Sequence, residues 1–201
     1  MTKTWFTSDL HVGDPFVADL RGFSSTAAHD GRLSHSWDLQ VGLEDKVWVL
    51  GDISSGKDEE EQLNALRWIA DRPGRKYLIT GNHDGAHPRH HDSYRWQKRY
   101  LQVFECVQPF ARRRVGHHRV LLSHFPYAGD GEGLRDMPER YTQFRLPNFG
   151  DWLLHGHTHC SEKVRSRSIH VGPDAWDLSL AGLPDVVALI DAASTKARRA
   201  S

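Results

Sequence analysis

Five short apolar runs in this chain each end directly in a segment that carries Asp, Asn or His, and this arrangement limits the folds open to it. The segments are Asp9-Leu10-His11, Gly51-Asp52, Gly81-Asn82-His83-Asp84, Ser123-His124 and His155-Gly156-His157-Thr158-His159. Several of the preceding runs are apolar throughout, which is typical of strands covered on both faces in a layered sheet. Ligand sites in open α/β sheets lie at the carboxyl ends of strands. The five segments are therefore expected to meet in one place.

The wider hydrophobic pattern predicts a mixed α/β domain. Strands are expected at 4–7, 47–50, 77–80, 120–123, 152–154, 169–171 and 186–190, and helices at about 26–41, 59–70 and 93–104. Residues 110–115 and 119–123 flank Gly116-His117-His118 and predict a hairpin, which departs from strict alternation of strand and helix. A pair of sheets sandwiched by helices fits these elements better than one doubly wound sheet.

The length of 201 residues suits one domain with a full hydrophobic core. We expect that domain to occupy residues 1–195, followed by a frayed tail at 196–201. Residues 129–150 are rich in Gly, Pro and charge and lack periodicity, which predicts a long surface loop or cap. Loops of this length in compact domains are usually functional.

The composition gives little evidence for a macromolecular partner. Lys plus Arg (26) equals Asp plus Glu (26), so no global field attracts a polyanion. The two cysteines are too few for a disulfide framework, and no run approaches the roughly 20 apolar residues of a membrane span. We therefore expect a soluble cytoplasmic protein with no membrane contact.

The segments carry the residue types of a transition-metal site. Asp9 and His11 are separated by one residue, which places both on one side of an extended chain, and His157 and His159 repeat that spacing. Carboxylate, imidazole and amide groups without thiolate suit manganese, iron, cobalt, nickel or zinc better than calcium. Two such ions about 3.5 to 4 Å apart lower the pKa of a shared water from about 15.7 toward 7. The sequence therefore predicts a hydrolase with two metal ions.

In their order, the segments resemble the signature of the calcineurin-like metallophosphoesterase superfamily. The signature DxH, GD, GNH(D/E), H and GHxH is matched here by DLH, GD, GNHD, SHFP and HGHTH, within residues 4–171. The resemblance implies a four-layer αββα sandwich of two mixed β-sheets flanked by helices. It also implies two divalent transition-metal ions, with manganese favoured over iron, nickel, cobalt or zinc.

The resemblance assigns a role to each motif residue. One metal ion is expected on Asp9, His11 and His159, the other on Asn82, His124 and His157, with Asp52 bridging the two. His83 is not a ligand in this scheme. It is expected to be catalytic and to protonate the leaving oxygen or stabilise its charge.

The second motif departs from that of the Ser/Thr protein phosphatases in this superfamily. They extend it to GDxVDRG, whereas this chain has GDISSG, with Ser55 and Gly56 in place of the Asp and Arg. A phosphoprotein phosphatase is therefore not expected. The segments TSDLH, YTQFR and HVGPDAW resemble small bacterial and phage phosphoesterases instead. That likeness implies a phosphodiesterase for small nucleotide-type phosphodiesters, with 2′,3′-cyclic nucleotides as one candidate.

Substrate contacts follow less directly from the sequence. Arg140 and Arg145 lie in the loop between two ligand motifs and are candidates to meet the phosphate, with ordinary surface arginines as the alternative. Tyr127 and Tyr141 either stack on a base or pack within the protein. Arg112-Arg113-Arg114 alternates between strand faces and forms no continuous basic stripe, so nucleic-acid binding is not favoured.

Three other functions remain open from the sequence. The same pair of metal ions would serve a DNA or RNA nuclease if the cap admits a polymer, or a phosphomonoesterase. A binding scaffold that retains its metal ions is the third alternative. His83 argues against the scaffold, because pure binding does not require an uncoordinated imidazole beside the metal ions.

Overall fold

A computed structural model describes residues 2–132 and 138–200, with side chains through residue 196. The helices in these residues are α1 (Pro15–Leu20), α2 (Thr26–Gln40), α3 (Glu59–Ala70), α4 (Ser93–Tyr100) and α5 (Leu183–Ala200). The strands are β1 (Thr4–Thr7), β2 (Lys46–Val49), β3 (Arg75–Ile79), β4 (Val107–Gln108), β5 (Phe110–Val115), β6 (His118–Ser123), β7 (Trp152–His155), β8 (Val164–Arg165), β9 (Ser168–His170) and β10 (Ala181–Gly182).

The strands form two mixed sheets. The first has the order β10-β1-β2-β3-β4, with β10 antiparallel to β1 and the other pairs parallel. The second has the order β5-β6-β7-β9-β8, in which β6, β7 and β9 are parallel and the two edge pairs antiparallel. The predicted mixed α/β fold of two mixed sheets with flanking helices is confirmed, and so is the hairpin of β5 and β6.

Strand β2 shows why the apolar runs are continuous. Val47 and Val49 belong to a core that also contains Trp37 of α2 and Ile69 of α3. The intervening Trp48 belongs to a second core, formed with side chains of the other sheet. Because alternate residues of a strand point to opposite faces, a strand buried on both faces has to be apolar at every position.

Helix α3 begins where its sequence predicts. The Asp58 carboxylate caps the helix by accepting a hydrogen bond of 2.9 Å from the amide of Glu61. Glu59, Glu60 and Glu61 occupy the first turn, where the helix dipole favours negative charge. Ala65, Leu66 and Ile69 lie on the buried face.

The strand predicted at 186–190 is wrong, because these residues lie in α5. Val186 and Ile190 are one helical turn apart and are both fully buried. A five-residue apolar run fits a buried strand and one side of a helix equally well, so the pattern alone does not decide. Helix α5 also extends to Ala200 and thus includes residues 196–200, for which a frayed tail was expected.

The predicted loop at about 129–150 falls partly outside the described residues, which omit 133–137. Its described part contains a short 3₁₀ turn at Thr142–Phe144, and the Ala128 amide donates a hydrogen bond of 3.0 Å to the Leu146 carbonyl. Among the residues that the structure describes, no helix combines the length and apolar character needed to cross a membrane.

Candidate metal centre

The carboxyl ends of the parallel strands from both sheets meet at one site. Within the first sheet, the Asp9 amide donates to the Gly51 carbonyl at 2.9 Å. Within the second, the Gly156 amide donates to the His124 carbonyl, also at 2.9 Å. The His157 amide then joins the two sheets by donating to the Asp9 carboxylate, 3.0 and 2.9 Å from its two oxygens. The predicted convergence of the motifs is therefore present in the structure.

Two groups of side chains lie at this site. Within each group, the possible ligand atoms are all within 4.8 Å of one another. One group is Asp9, His11 and His159, and the other is Asp52, His124 and His157. The groups are adjacent, since the His11 amide donates to the Asp52 carbonyl at 3.1 Å. The first group contains the three residues that the resemblance assigns to one metal ion, and the second contains two residues assigned to the other ion together with Asp52.

The backbone at this site is strained. Five of the predicted ligands have positive φ angles, namely Asp9 (48°), His11 (45°), Asp52 (55°), His157 (71°) and His159 (48°). Such angles are uncommon for residues other than glycine and cost of order 1–3 kcal/mol each. Strained residues of this kind cluster at functional sites, where the surrounding structure holds them.

Two motif glycines are required because ligand side chains pass close to the backbone. A Cβ atom on Gly81 would lie 2.2 Å from Oδ1 of Asp52, and one on Gly156 would lie 2.3 Å from Oδ2 of Asp9. Both distances are shorter than any allowed contact. The glycine in each motif therefore makes room for a carboxylate from a different motif.

The donor set fits divalent transition metals. Both ring nitrogens of His11 and the amide oxygen Oδ1 of Asn82 are buried and lack a hydrogen-bond partner among the described residues. An unsatisfied buried polar atom costs about 1–3 kcal/mol. A bound cation would satisfy one ring nitrogen of His11 and the Asn82 oxygen, and the mixture of imidazole, carboxylate and amide oxygen matches such ions.

Burial and charge set the protonation of the histidines. Burial lowers the pKa of His11 to about 3 and that of His157 to about 2, so both rings are neutral at pH 7. Burial also acts to lower the pKa of His124, but the Asp52 carboxylate outweighs it and raises this pKa to about 9. Nε2 of His124 lies 3.2 Å from Oδ2 of Asp52. Without metal, these two residues form a buried ion pair.

The match to a family model decides the classification. The model of the calcineurin-like phosphoesterases matches residues 2–161. The chain belongs to this family. The phosphoesterase is 48% identical over 188 residues to the gene 66 protein of Mycobacterium phage L5, covering 88% of each chain. It is 50% identical over 186 residues to the gene 66 protein of Mycobacterium phage D29, covering 88% of this chain and 90% of that one.

The fold of the phosphoesterase also resembles a solved structure. The crystal structure of the Aquifex aeolicus protein AQ665 superposes with a TM-score of 0.69 at 20% sequence identity. The match covers 94% of this chain and all of the Aquifex chain. At this identity the likeness supports the fold alone.

Metal binding to the phosphoesterase is expected to release a proton near neutral pH. His124 is protonated in the metal-free protein up to about pH 9, and only its neutral ring binds a metal ion. Affinity should therefore rise with pH and level off above about 9. Calorimetric titration with Mn²⁺ at pH 7.5, in two buffers of different ionisation enthalpy, measures the protons released. Identical heats in both buffers would contradict the His124–Asp52 ion pair.

Residues outside the five motifs form hydrogen bonds with the predicted ligands. Asp174 lies 3.1 Å from Nδ1 of His159 and accepts two hydrogen bonds, of 2.9 and 2.8 Å, from Arg21. Arg21 also donates to the Asp9 carbonyl at 2.9 Å. A carboxylate on the far nitrogen of a ligand histidine fixes its ring and tautomer. Sequence reasoning missed both residues, although Asp174 lies in the HVGPDAW segment that it singled out.

Asp84 ties the second and third motifs together. Its carboxylate accepts hydrogen bonds from the amides of Gly81 (2.7 Å), Asp52 (3.1 Å) and Ile53 (3.1 Å). Burial, with a contribution from the nearby Asp52 charge, raises the pKa of Asp84 to about 7. The residue holds the backbone of the Gly51-Asp52 turn in place, a role that sequence reasoning did not assign.

His83 lies beside both ligand groups and is 42% exposed at its side chain. Its Nδ1 donates to the Ser55 carbonyl, which directs Nε2 toward the site, 4.0 Å from Oδ2 of Asp52. The His83 amide donates to Oδ1 of the same carboxylate at 2.8 Å. The ring is thus held by fixed partners and still reaches solvent.

The two predicted substrate arginines have different surroundings. The side chain of Arg145 is fully buried and pairs with the carboxylates of Glu132 and Glu139, so it anchors the loop internally. The side chain of Arg140 is 55% exposed, and its guanidinium lies 5.7 Å from the centre of the Tyr141 ring. Of these two arginines, only Arg140 has the exposure that a substrate contact requires.

A third set of side chains at ligand distance lies at the opposite end of β6. Nε2 of His117 and Nε2 of His118 lie 3.3 and 2.8 Å from the same carboxylate oxygen of Asp191. Ordinary contacts between histidine and carboxylate account for this surface cluster, so we assign no site to it.

Proposed function

We propose that this protein is a metal-dependent phosphodiesterase that hydrolyses small nucleotide-type phosphodiesters, with 2′,3′-cyclic nucleotides as candidate substrates. The proposal is carried by one observation: two adjacent groups of metal-ligand type side chains with a half-exposed His83 beside them. Family membership supports phosphoester hydrolysis. The preference for diesters and for nucleotides is the new part of the proposal.

Each ligand group is proposed to hold one divalent ion. Asp9, His11 and His159 would hold the first; His124 and His157 of the second group, together with Asn82, would hold the second; and Asp52 of the second group would be shared by the two ions. When bound, such ions supply a water of lowered pKa and positive charge for the phosphate. The buried position of Asp52, which is 2% exposed, supports its role as the shared ligand.

His83 is proposed to assist the leaving group. The Ser55 carbonyl holds its ring from one side, so Nε2 is turned toward the space between the ligand groups and solvent. A ring in this position donates a hydrogen bond or a proton to the ester oxygen as the bond to phosphorus breaks. Because its partner is a neutral carbonyl rather than a carboxylate, the site differs from the motif of the protein phosphatases.

An aromatic and cationic wall beside the second ligand group supports a nucleotide substrate. The Tyr141 ring lies 5.8 Å from the His157 ring. The guanidinium groups of Arg89 and Arg140 lie 5.1 and 5.7 Å from the centre of the Tyr141 ring. Both arginines are exposed and suited to a phosphate, and Tyr141 is the aromatic side chain proposed to contact the base. Tyr127, in contrast, is fully buried and packs within the protein.

A substrate panel tests the proposal. The protein is loaded with Mn²⁺, Ni²⁺, Zn²⁺ or Mg²⁺ and assayed on bis(p-nitrophenyl) phosphate, p-nitrophenyl phosphate, 2′,3′- and 3′,5′-cyclic nucleotides and single-stranded DNA. We expect the diesters, including a 2′,3′-cyclic nucleotide, to be cleaved faster than the monoester. A preparation of the His83→Ala variant controls for contaminating hydrolases.

Two outcomes would contradict the proposed substrate class. Cleavage of the monoester alone would identify a phosphomonoesterase. Cleavage of DNA with an affinity that falls steeply with salt would identify a nuclease, since binding to a polymer releases counterions and binding to a small nucleotide responds only mildly.

A further inference from the structure

Glu132 brings a carboxylate from the loop at about 129–150 into the metal centre. The residue is 5% exposed, and its Oε2 lies 2.9 Å from Nε2 of His157. No motif includes Glu132, and it is 25 residues from His157 in the chain. The contact therefore links the loop directly to the second ligand group.

The loop holds this carboxylate in place with positive charge. The Arg140 amide donates to Oε1 of Glu132 at 2.7 Å, and the Arg140 guanidinium lies 3.3 Å from Oε2. The buried guanidinium of Arg145 pairs with the same carboxylate. Arg145 in turn bonds to the Gly131 carbonyl at 3.0 Å. Two guanidinium groups thus compensate the charge of a buried carboxylate that would otherwise be costly.

This contact determines which nitrogen of His157 is available to a metal ion. With Glu132 as acceptor, Nε2 carries the proton and donates, which leaves Nδ1 with its lone pair free for the ion. His159 has the corresponding arrangement, with Asp174 on its Nδ1. The two predicted ligand histidines of the HGHTH segment, His157 and His159, thus each have a carboxylate partner, Glu132 from the loop before the motif and Asp174 from the chain after it.

We propose that Glu132 is a positioning residue that orients His157 for the second metal ion and couples this ion to the loop that carries Arg140 and Tyr141. The inference rests on the metal binding of the proposed function. Since the same carboxylate bonds His157 and Arg140, the placement of Arg140 and the occupancy of the second ion should stabilise each other. By reciprocity, the ion then helps to place the residues proposed to meet the substrate.

Metal titration of loop variants tests this role. Metal-free wild type, Glu132→Gln, Glu132→Ala and Glu139→Gln proteins are titrated with Mn²⁺ by calorimetry. Glu139 is the matched control, because it bonds Arg145 and the Gly129 amide, at 3.0 and 2.9 Å, and belongs to the same loop. In the part of the chain that the structure describes, Glu139 makes no hydrogen bond or salt bridge to His157. Circular dichroism checks that each variant is folded.

We expect Glu132→Ala to lower the affinity for the second Mn²⁺ ion by about 10- to 100-fold, the usual effect of losing a residue that orients a ligand. The affinity for the first ion should not change. Glu132→Gln retains an acceptor without charge and should fall between Glu132→Ala and wild type. The Mn²⁺ affinity of Glu139→Gln should stay within about 3-fold of wild type, because Glu139 is not the partner of a predicted ligand. Tight binding of both ions by Glu132→Ala would overturn the inference, as would equal weakening by Glu139→Gln.

The two proposals fail in different ways. If wild type binds two ions and Glu132→Ala does the same with equal affinity, the positioning role is wrong and the proposed function stands. If wild type itself binds no second ion, the proposed function is wrong, and the role of Glu132 is wrong with it.

Discussion

Replacing His83 with alanine is expected to lower turnover by about 10²- to 10⁴-fold, the usual effect of removing a general acid. Both metal ions should stay bound, since the His83 side chain bonds the Ser55 carbonyl and belongs to neither ligand group. The backbone amide that contacts Asp52 is retained in the variant. Turnover of bis(p-nitrophenyl) phosphate and metal content by mass spectrometry are measured on the same preparation.

His91→Ala is the matched control for this experiment. His91 is an exposed histidine eight positions along the chain and lies in neither ligand group. Its replacement should leave both turnover and metal content at the wild-type level. If His83→Ala loses metal in proportion to its turnover, His83 is a ligand and not a proton donor, and the proposed role is wrong.

Replacing Asp52 with alanine is expected to lower the affinity for both metal ions by about 10²-fold or more. Loss of a residue that only orients a ligand costs about 10- to 100-fold, and Asp52 is proposed to be a ligand itself. Oδ2 of this carboxylate lies 3.2 Å from His124, and Oδ1 accepts the His83 amide at 2.8 Å. Removal should therefore also disturb the placement of His83. Metal content after dialysis against a weak chelator measures the effect, and turnover should fall with it.

Asp45→Asn separates this effect from general damage to the fold. Asp45 is also buried, at 7% exposure, and accepts hydrogen bonds from the Lys3 amide (2.7 Å) and the Trp5 indole (3.1 Å) away from the metal centre. Its replacement should lower stability and leave metal content unchanged. Two full equivalents of metal in Asp52→Ala would rule out a shared ligand.

Sequence reasoning located the candidate site because its motifs lie close to the ends of strands. In a sheet, the residue after a strand is placed by the strand itself, so Asp9 after β1 and His124 after β6 have positions that the motifs predict. Continuous apolar runs such as 47–50 predicted strands buried on both faces, whereas the two mixed sheets were implied by the motif resemblance. The fold of two mixed sheets with flanking helices is confirmed.

The partners that orient the ligands could not be predicted in this way. Arg21 and Asp174 are 153 residues apart, and Glu132 meets His157 across a loop without periodicity. Such contacts depend on how loops pack, which hydrophobic spacing does not encode. Arg145 illustrates the same limit, because its sequence position suggested the substrate while its side chain is buried between two carboxylates. The prediction of a strand at 186–190 was wrong for a different reason, because the spacing of its apolar residues fits both a strand and a helix.

Anomalous diffraction from crystals grown with excess Mn²⁺ tests the two-ion centre most directly. The account predicts two peaks about 3.5 to 4 Å apart. One should contact Asp9, His11 and His159, the other Asn82, His124 and His157, and both should contact Asp52. A single peak, or no peak at these side chains, would contradict it.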